Sequence, residues 1–287
     1  MSANYWKSTQ RQRWEFSREA LADLRAKLVQ NDLEAGIENG LNSWEAHVRI
    51  YIFNLAQALG QRLNVRQRVI STSQVYLLRI FTKVSFSEIN IFLLVATAIY
   101  AACKSEELPQ HILTVCNESR VLWSDLMPTD ASHIAECEFY MLAELETCLI
   151  VYHPYRSLDM IVKSMAQWNP MLAFCPEELQ GITAVINDSY ASDIPLLYSP
   201  YIVASASIYL TLVLRPQLLR PAKTPDYVKS RIEKVSGYLG KSAIDLEKLV
   251  ECVQDLICLY ARWETYDHRA VHLNVLRLFN SDQPASG

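Results

Sequence analysis

The longest apolar stretch in the chain runs from Ile89 to Cys103, relieved only by Asn90, Thr97 and Tyr100, and stops abruptly at Lys104-Ser105-Glu106-Glu107. A helix that is apolar nearly all round must be covered on every side. The stretch is therefore predicted to lie in the middle of a helical bundle and to deliver Lys104, Glu106 and Glu107 at its surface. Elsewhere apolar residues recur at helical spacing. They predict a polar N-terminal helix over 14–30, then helices over 43–62, 65–81 and 88–103, a short one near 109–116, and one over 130–149. Beyond Val151–Arg156, helices are predicted near 158–168, 176–192, 200–214, 227–239 and 242–260. In the last of these, Leu246, Leu249, Val250, Val253, Leu256, Ile257 and Tyr260 form one apolar stripe.

The two halves repeat. Val95-Ala96-Thr97-Ala98-Ile99-Tyr100 lies over Ala204-Ser205-Ala206-Ser207-Ile208-Tyr209, and the same offset places Glu138 over Glu247. One offset at two separate helices points to a duplicated five-helix bundle. The fold class expected is all-α: two tandem five-helix bundles with an extra N-terminal helix. The segments are 1–41 (N-terminal helical segment), 42–150 (first bundle), 151–264 (second bundle) and 265–287 (tail). Only 7 glycines in 287 residues agree with this.

A hydrophobic content of 51% with 20% charged residues suits a globular core. A net charge of −4 gives no footprint for direct nucleic-acid binding. Basic residues cluster at Lys7, Arg11, Arg13 and Arg18 and at Arg62, Arg66 and Arg68, which read as solvated helix faces. The 7 cysteines are scattered without a C-x-x-C pair, which fits a reducing compartment and excludes a zinc ribbon. The N-terminus lacks the apolar core of a signal peptide, and the 89–103 run is short for a bilayer, so no membrane partner is expected. There is no phosphate loop, nucleophile elbow or zinc-protease pair. The 6 histidines are dispersed. His268 and His272 share a helical face but lack an acidic or cysteine partner, so neither a catalytic residue, a metal site nor a cofactor is expected.

Two five-helix bundles with Ala101-Ala102-Cys103-Lys104-Ser105-Glu106-Glu107 closing the third helix resemble the cyclin family. Cyclins carry a Lys-x-Glu-Glu motif at the end of that helix and a Glu early in the fifth, where Glu138 falls. Several segments resemble its Mediator-associated cyclin C branch. They are Asn4-Tyr5-Trp6 with Ser8, Val65–Thr72, Glu136–Tyr140, Leu149–Arg156, Ile186–Tyr190 and Leu196–Pro200. Two departures stand out. The first-box helix reads Ser43-Trp44-Glu45-Ala46-His47-Val48-Arg49-Ile50-Tyr51 in place of the substrate-docking motif of cell-cycle cyclins, and Ser105 replaces an apolar residue.

The resemblance implies a nuclear regulatory subunit, without an active site, that activates a cyclin-dependent kinase of the Mediator kinase module and joins other Mediator subunits in regulating RNA polymerase II. It implies that Lys104 and Glu138 grip the kinase beside its αC helix. Glu107, ahead of Glu106, would meet the arginines that otherwise bind an activation-loop phosphate. Tyr5 and Trp6, with Trp14, would select the kinase. Two other readings use the same fold: a DNA-bound general transcription factor of the TFIIB class, which wants a basic face and a zinc ribbon, and a helical scaffold that activates nothing.

Overall fold

The computed structural model describes residues 4–34, 45–214 and 225–281, and every regular element in them is helical. The predicted helix start at Ser43 and Trp44 lies outside these residues. The chain divides into two compact units, Met1–Val151 with Arg262–Gly287, and Tyr152–Ala261.

The first unit opens with α1 (Thr9–Arg13) and α2 (Arg18–Glu34), followed by α3 (Glu45–Arg62), α4 (Gln67–Ile80), α5 (Ile91–Ser105), α6 (Ile112–Trp123) and α7 (Ser132–Glu144). The second contains α8 (Pro154–Trp168), α9 (Pro176–Ser189), α10 (Ile194–Leu197), α11 (Pro200–Leu214), α12 (Pro225–Lys241) and most of α13 (Leu246–Glu264). The segment after α13, read from the sequence as a tail, carries a further helix, α14 (His268–Ser281), which packs on α3 in the first unit.

Helix α5 touches α3, α4, α6 and α7, and α11 likewise touches α8, α9, α10 and α12. Both are the central helices that their apolar composition demands. They begin and end at the offset of the sequence repeat. Asn90 starts α5: its Oδ1 accepts from the Phe92 and Leu93 amides at 2.9 and 3.1 Å, and its Nδ2 donates to the Leu126 carbonyl at 3.0 Å. One side chain thus caps the core helix and ties down the chain leaving α6.

Helix α6 runs past its predicted end because Ser119, fully buried, satisfies its hydroxyl on the Val115 carbonyl at 2.7 Å within the helix. Helix α2 is mostly polar and is pinned through one buried carboxylate. Asp32 accepts from Ser85 Oγ at 2.5 Å and Ser87 Oγ at 3.0 Å in the loop before α5.

In the second unit, the fully buried pair Arg231–Glu178 joins α12 to α9, with Arg231 Nη2 donating to Glu178 Oε2 and to the Ala173 carbonyl, each at 3.0 Å. Glu178 Oε2 also accepts from the Cys175 amide at 2.9 Å, closing the first turn of α9. Such a pair does little for net stability, but losing one partner strands a buried charge.

Helix α14 docks through buried Val271 and Val275 and through aromatic and imidazole rings. The buried Tyr51 hydroxyl of α3 lies 2.7 Å from His272 Nδ1, and His268 stacks parallel to His272 at 6.3 Å. Burial pushes the Tyr51 phenol far up, so it keeps its proton and donates to a neutral His272. Burial, and secondarily His268, hold His272 below the usual imidazole range. The folded state therefore favours neutral His272. Its contribution is complete above the unfolded-state pKa and is lost as pH falls through the lower folded value. Between about pH 7 and pH 5 the α14 amides are expected to lose hydrogen-exchange protection before those of α5, and His272→Gln, which removes the titrating group, should remove much of that pH dependence.

Candidate functional site

The chemistry of the first unit gathers where α5 and α7 end, and α4 organises it. Five polar side chains follow α4 at three- and four-residue steps: Arg68, Thr72, Tyr76, Arg79 and, just past the helix, Lys83. That spacing sets them in one row. At one end of the row, Arg68 Nε and Thr72 Oγ1 hold the Glu106 carboxylate at 2.7 and 2.8 Å. Next, the Tyr76 hydroxyl donates to the Leu149 carbonyl at 2.7 Å and sits 2.9 Å from Ser105 Oγ. Arg79, fully buried, donates to the Cys148 carbonyl at 2.7 Å, and burial pushes its guanidinium down to about 10. At the far end, Lys83 Nζ donates to the Glu144 carbonyl at 2.8 Å and to Glu146 at 2.9 Å.

The predicted N-terminal segment packs against the same end. Trp14 is buried, with the Arg79 guanidinium 5.2 Å and Lys83 Nζ 5.0 Å from its ring. Arg13 reaches Glu146 at 3.0 Å. Tyr5, in a 3-10 turn at Tyr5–Lys7, donates its hydroxyl to Glu15, and its ring meets Trp6 edge-on. Trp6 itself is 57% exposed. Of the three aromatics, Trp14 anchors the segment and Trp6 faces outward.

Helices α3, α5 and α7 end alike. Each has a left-handed residue just after its cap, at Asn64 (φ 52°), Glu107 (φ 56°) and Glu146 (φ 50°). At α5 the Leu108 amide donates to the Cys103 carbonyl at 2.9 Å and the Glu107 amide to that of Lys104 at 3.3 Å; at α7 the Thr147 and Glu146 amides do the same to Leu142 and Ala143. This geometry normally selects glycine, and asparagine tolerates it. Glutamate does so at a cost of about 1 kcal/mol. The Glu146 carboxylate is engaged: Lys83 first, then Arg13, hold it below the usual range. The Glu107 carboxylate has no hydrogen bond or ion pair among the described residues and stands exposed.

The other predicted residues are brought together differently. Lys104 Nζ and Glu138 Oε1 form an ion pair at 2.5 Å, with Lys104 half-exposed and Glu138 nearly buried. The ammonium also sits 4.7 Å from the Tyr100 ring, one turn back on α5. Lys104 thus leans onto α7, Glu106 turns away to α4, and Glu107 projects unpaired. Next to Glu138, Phe139 is 75% exposed; Ile150, beside the carbonyl that Tyr76 holds, is 69% exposed.

The row on α4 and these two exposed apolar side chains escaped the sequence reading, which took Arg68 for part of a solvated face; it is 65% exposed, and what was missed is its pairing with Glu106. The row was visible as polar residues at helical spacing inside an otherwise buried element. Its partners were not, being supplied from as far away as Glu146. Among the described residues no cluster of three or more metal-ligating side chains occurs, and no helix is long and apolar enough to cross a membrane.

Comparison with known proteins places this geometry. The family described as cyclin, N-terminal domain, matches residues 30–150. A Yarrowia lipolytica protein named RNA polymerase II holoenzyme cyclin-like subunit is 46% identical, over 97% of this chain and 99% of its own length. A Saccharomyces cerevisiae protein of the same name is 34% identical over 93% and 94%. Among solved structures, a chain in the Chaetomium thermophilum CAK complex bound to ATP-gamma-S matches with a TM-score of 0.69 at 19% identity, covering 96% of this chain and 87% of its own. One in the yeast TFIIK complex gives 0.64 at 18%, covering 89% and 99%. At these identities the solved structures share the fold.

The strain at Glu107 makes a stability prediction. Glycine substituted into an exposed helix end normally costs stability, but at a left-handed position it relieves strain. Glu107→Gly is expected to leave the free chain as stable as the parent, or up to about 1 kcal/mol more stable, in urea denaturation. Glu146→Gly, which also discards two ion pairs, should show no such gain.

Proposed function

The chain belongs to the cyclin family, in its branch of RNA polymerase II holoenzyme cyclin-like subunits, and we propose that it activates a cyclin-dependent kinase of the Mediator kinase module. In this reading it works in the nucleus beside other Mediator subunits, as a regulatory subunit without an active site of its own. Its first cyclin box is 42–150 and its second 151–264.

A protein kinase is competent only when the ion pair between its β3 lysine and its αC glutamate is assembled. A partner that binds the assembled state more tightly shifts the kinase toward it, by no more than that difference in affinity. Lys104 and Glu138 suit this task because they are already paired and oriented, so binding does not have to order them. Exposed Phe139 and Ile150 supply apolar surface for a partner to cover. Exposed Trp6, on a segment anchored by Trp14, serves kinase selection with Tyr5.

The observation that carries the reading is the unpaired carboxylate of Glu107 in a conformation that disfavours its residue type. Glu106 is engaged by Arg68 and Thr72, so of the two glutamates Glu107 is the one available to a kinase. Opposite an arginine cluster it substitutes for the phosphate that orders an activation loop.

Co-expression with a Mediator-type kinase tests both parts. Lys104→Ala/Glu138→Ala is expected to weaken binding at least about tenfold; unimpaired binding rejects the interface. With a kinase whose activation loop cannot be phosphorylated, Glu107→Gln should reduce activity at least about tenfold while the complex still forms. Unchanged activity rejects the phosphate-substitute role.

A further inference from the structure

Among the described residues two arginines are buried, Arg79 in the first unit and Arg231 in the second. Arg231 has three kinds of neighbour. The Phe174 ring lies 4.8 Å from its guanidinium carbon, the Ala173 carbonyl accepts from Nη2, and the Glu178 carboxylate meets Nη1 and Nη2 together. Arg79 has a ring, Trp14 at 5.2 Å, and a carbonyl, that of Cys148, on Nη1. No carboxylate among the described residues pairs with it. The groups that chiefly favour its charged form are Tyr76, Cys148 and Tyr5.

What Arg79 leaves unpaired is one edge of its guanidinium. Nε and Nη2 share that edge, and both are buried without a hydrogen-bond partner among the described residues. Such an edge is shaped to hold both oxygens of a carboxylate at once. The indole Nε1 of Trp14, the ring that covers Arg79, is a third buried donor without a partner. Buried N–H groups normally find acceptors, and a buried cation without a counter-charge is costly. The acids at this end of the unit are committed elsewhere. Glu15 pairs with Arg11 at 2.8 Å and accepts from the Tyr5 hydroxyl, and Glu146 pairs with Lys83 and Arg13 at 2.9 and 3.0 Å. The cover over Arg79 is also light. The Tyr5–Lys7 turn and α1 pack chiefly on each other, with Gln10 their buried residue, and the Arg13–Glu146 pair is exposed and adds little. A small solute can therefore reach Arg79 when the segment lifts.

We propose that Arg79 and Trp14 form a binding site for a small carboxylate, held bidentately by Nε and Nη2 of Arg79 and capped by the Trp14 indole N–H. The ligand completes Arg79 as Glu178 completes Arg231. A small solute fits better than a partner's acidic side chain, because Trp14 supplies both the cover and a donor and so encloses the ligand while the segment is closed. Occupied, the site locks the N-terminal segment onto α4. It does not depend on the kinase reading.

Titrating the full chain with sodium acetate, against sodium chloride at equal ionic strength, tests this by heteronuclear NMR of the side-chain N–H groups. The Trp14 Nε1–H and Arg79 Nε–H signals are expected to shift saturably with acetate and not with chloride. At about ten times the dissociation constant, solvent exchange of Trp14 Nε1–H should slow about tenfold. Trp14→Phe keeps a covering ring but removes a hydrogen bond to a charged group. Read on Arg79 Nε–H, it should weaken acetate binding at least about tenfold. Arg79→Lys keeps the charge and loses the fork, so the acetate response of Trp14 Nε1–H should vanish while the circular dichroism spectrum is unchanged. Should Arg79→Lys fail to fold, Trp14→Phe decides. The proposal is overturned if acetate and chloride act alike, if both N–H groups resist exchange without responding to acetate, or if Trp14→Phe or folded Arg79→Lys binds acetate as the parent does.

Discussion

The polar row on α4 is the constraint on which the candidate kinase face depends. A buried helix does not ordinarily carry an arginine, a threonine and a tyrosine toward its neighbours, because each polar group left without a partner costs about 1–3 kcal/mol. Here each finds at least one partner at the ends of two other helices, although Nε and Nη2 of Arg79 make no hydrogen bond and its guanidinium lies over the Trp14 ring. Arg68 and Thr72 fix the turn after α5; Tyr76, Arg79 and Lys83 fix the chain after α7. Since α4 is rigid, the two ends are held in register with each other, and the Lys104–Glu138 pair can form between α5 and α7. Trp14 closes the row at its far end by covering Arg79 and Lys83. The N-terminal segment is thus referenced to the same helix as the charged tip of α5.

The two left-handed glutamates show how one local geometry serves different ends. The helix ends at Glu107 and Glu146 have matching hydrogen bonds and the same unfavourable backbone region. At Glu146, Lys83 and Arg13 engage the carboxylate, and the side chain is part of the framework. At Glu107 nothing in the described structure does so. A glycine there would relieve the strain, and the proposed contact outside the chain gives the carboxylate a use that offsets it.

How far the sequence could be read follows from where the determining interactions lie. The central place of α5, its abrupt charged end and the matching helix α11 were legible because an apolar surface without a polar side admits one environment. The terminal charges could be listed but not sorted. Whether Lys104, Glu106 or Glu107 is free depends on Glu138, Arg68 and Thr72, which lie 34 to 38 residues away. Helix α14 was missed since its buried apolar positions are few, Val271 and Val275, and its other contacts are polar rings, His268 and His272 against Tyr51. On α13 the opposite happened: the stripe was evident, and only the folded chain reveals that Leu246, Val250 and Ile257 of it are exposed.

The magnitudes indicate how the proposed face divides its work. Moving a kinase from one per cent to ninety-nine per cent active takes about 5.5 kcal/mol of differential binding. A solvent-exposed Lys–Glu pair supplies roughly 0–1 kcal/mol, so Lys104–Glu138 cannot provide this on its own while water reaches it. Covering large apolar side chains such as Phe139 and Ile150 contributes on the order of 1.5–3 kcal/mol each. On the proposed face, the same covering would lower the local dielectric and strengthen the hydrogen bonds that Lys104 donates and Glu138 accepts. The apolar neighbours therefore provide most of the affinity. The preformed pair adds the directionality that distinguishes one arrangement of the αC helix from another, and a population shift requires that distinction.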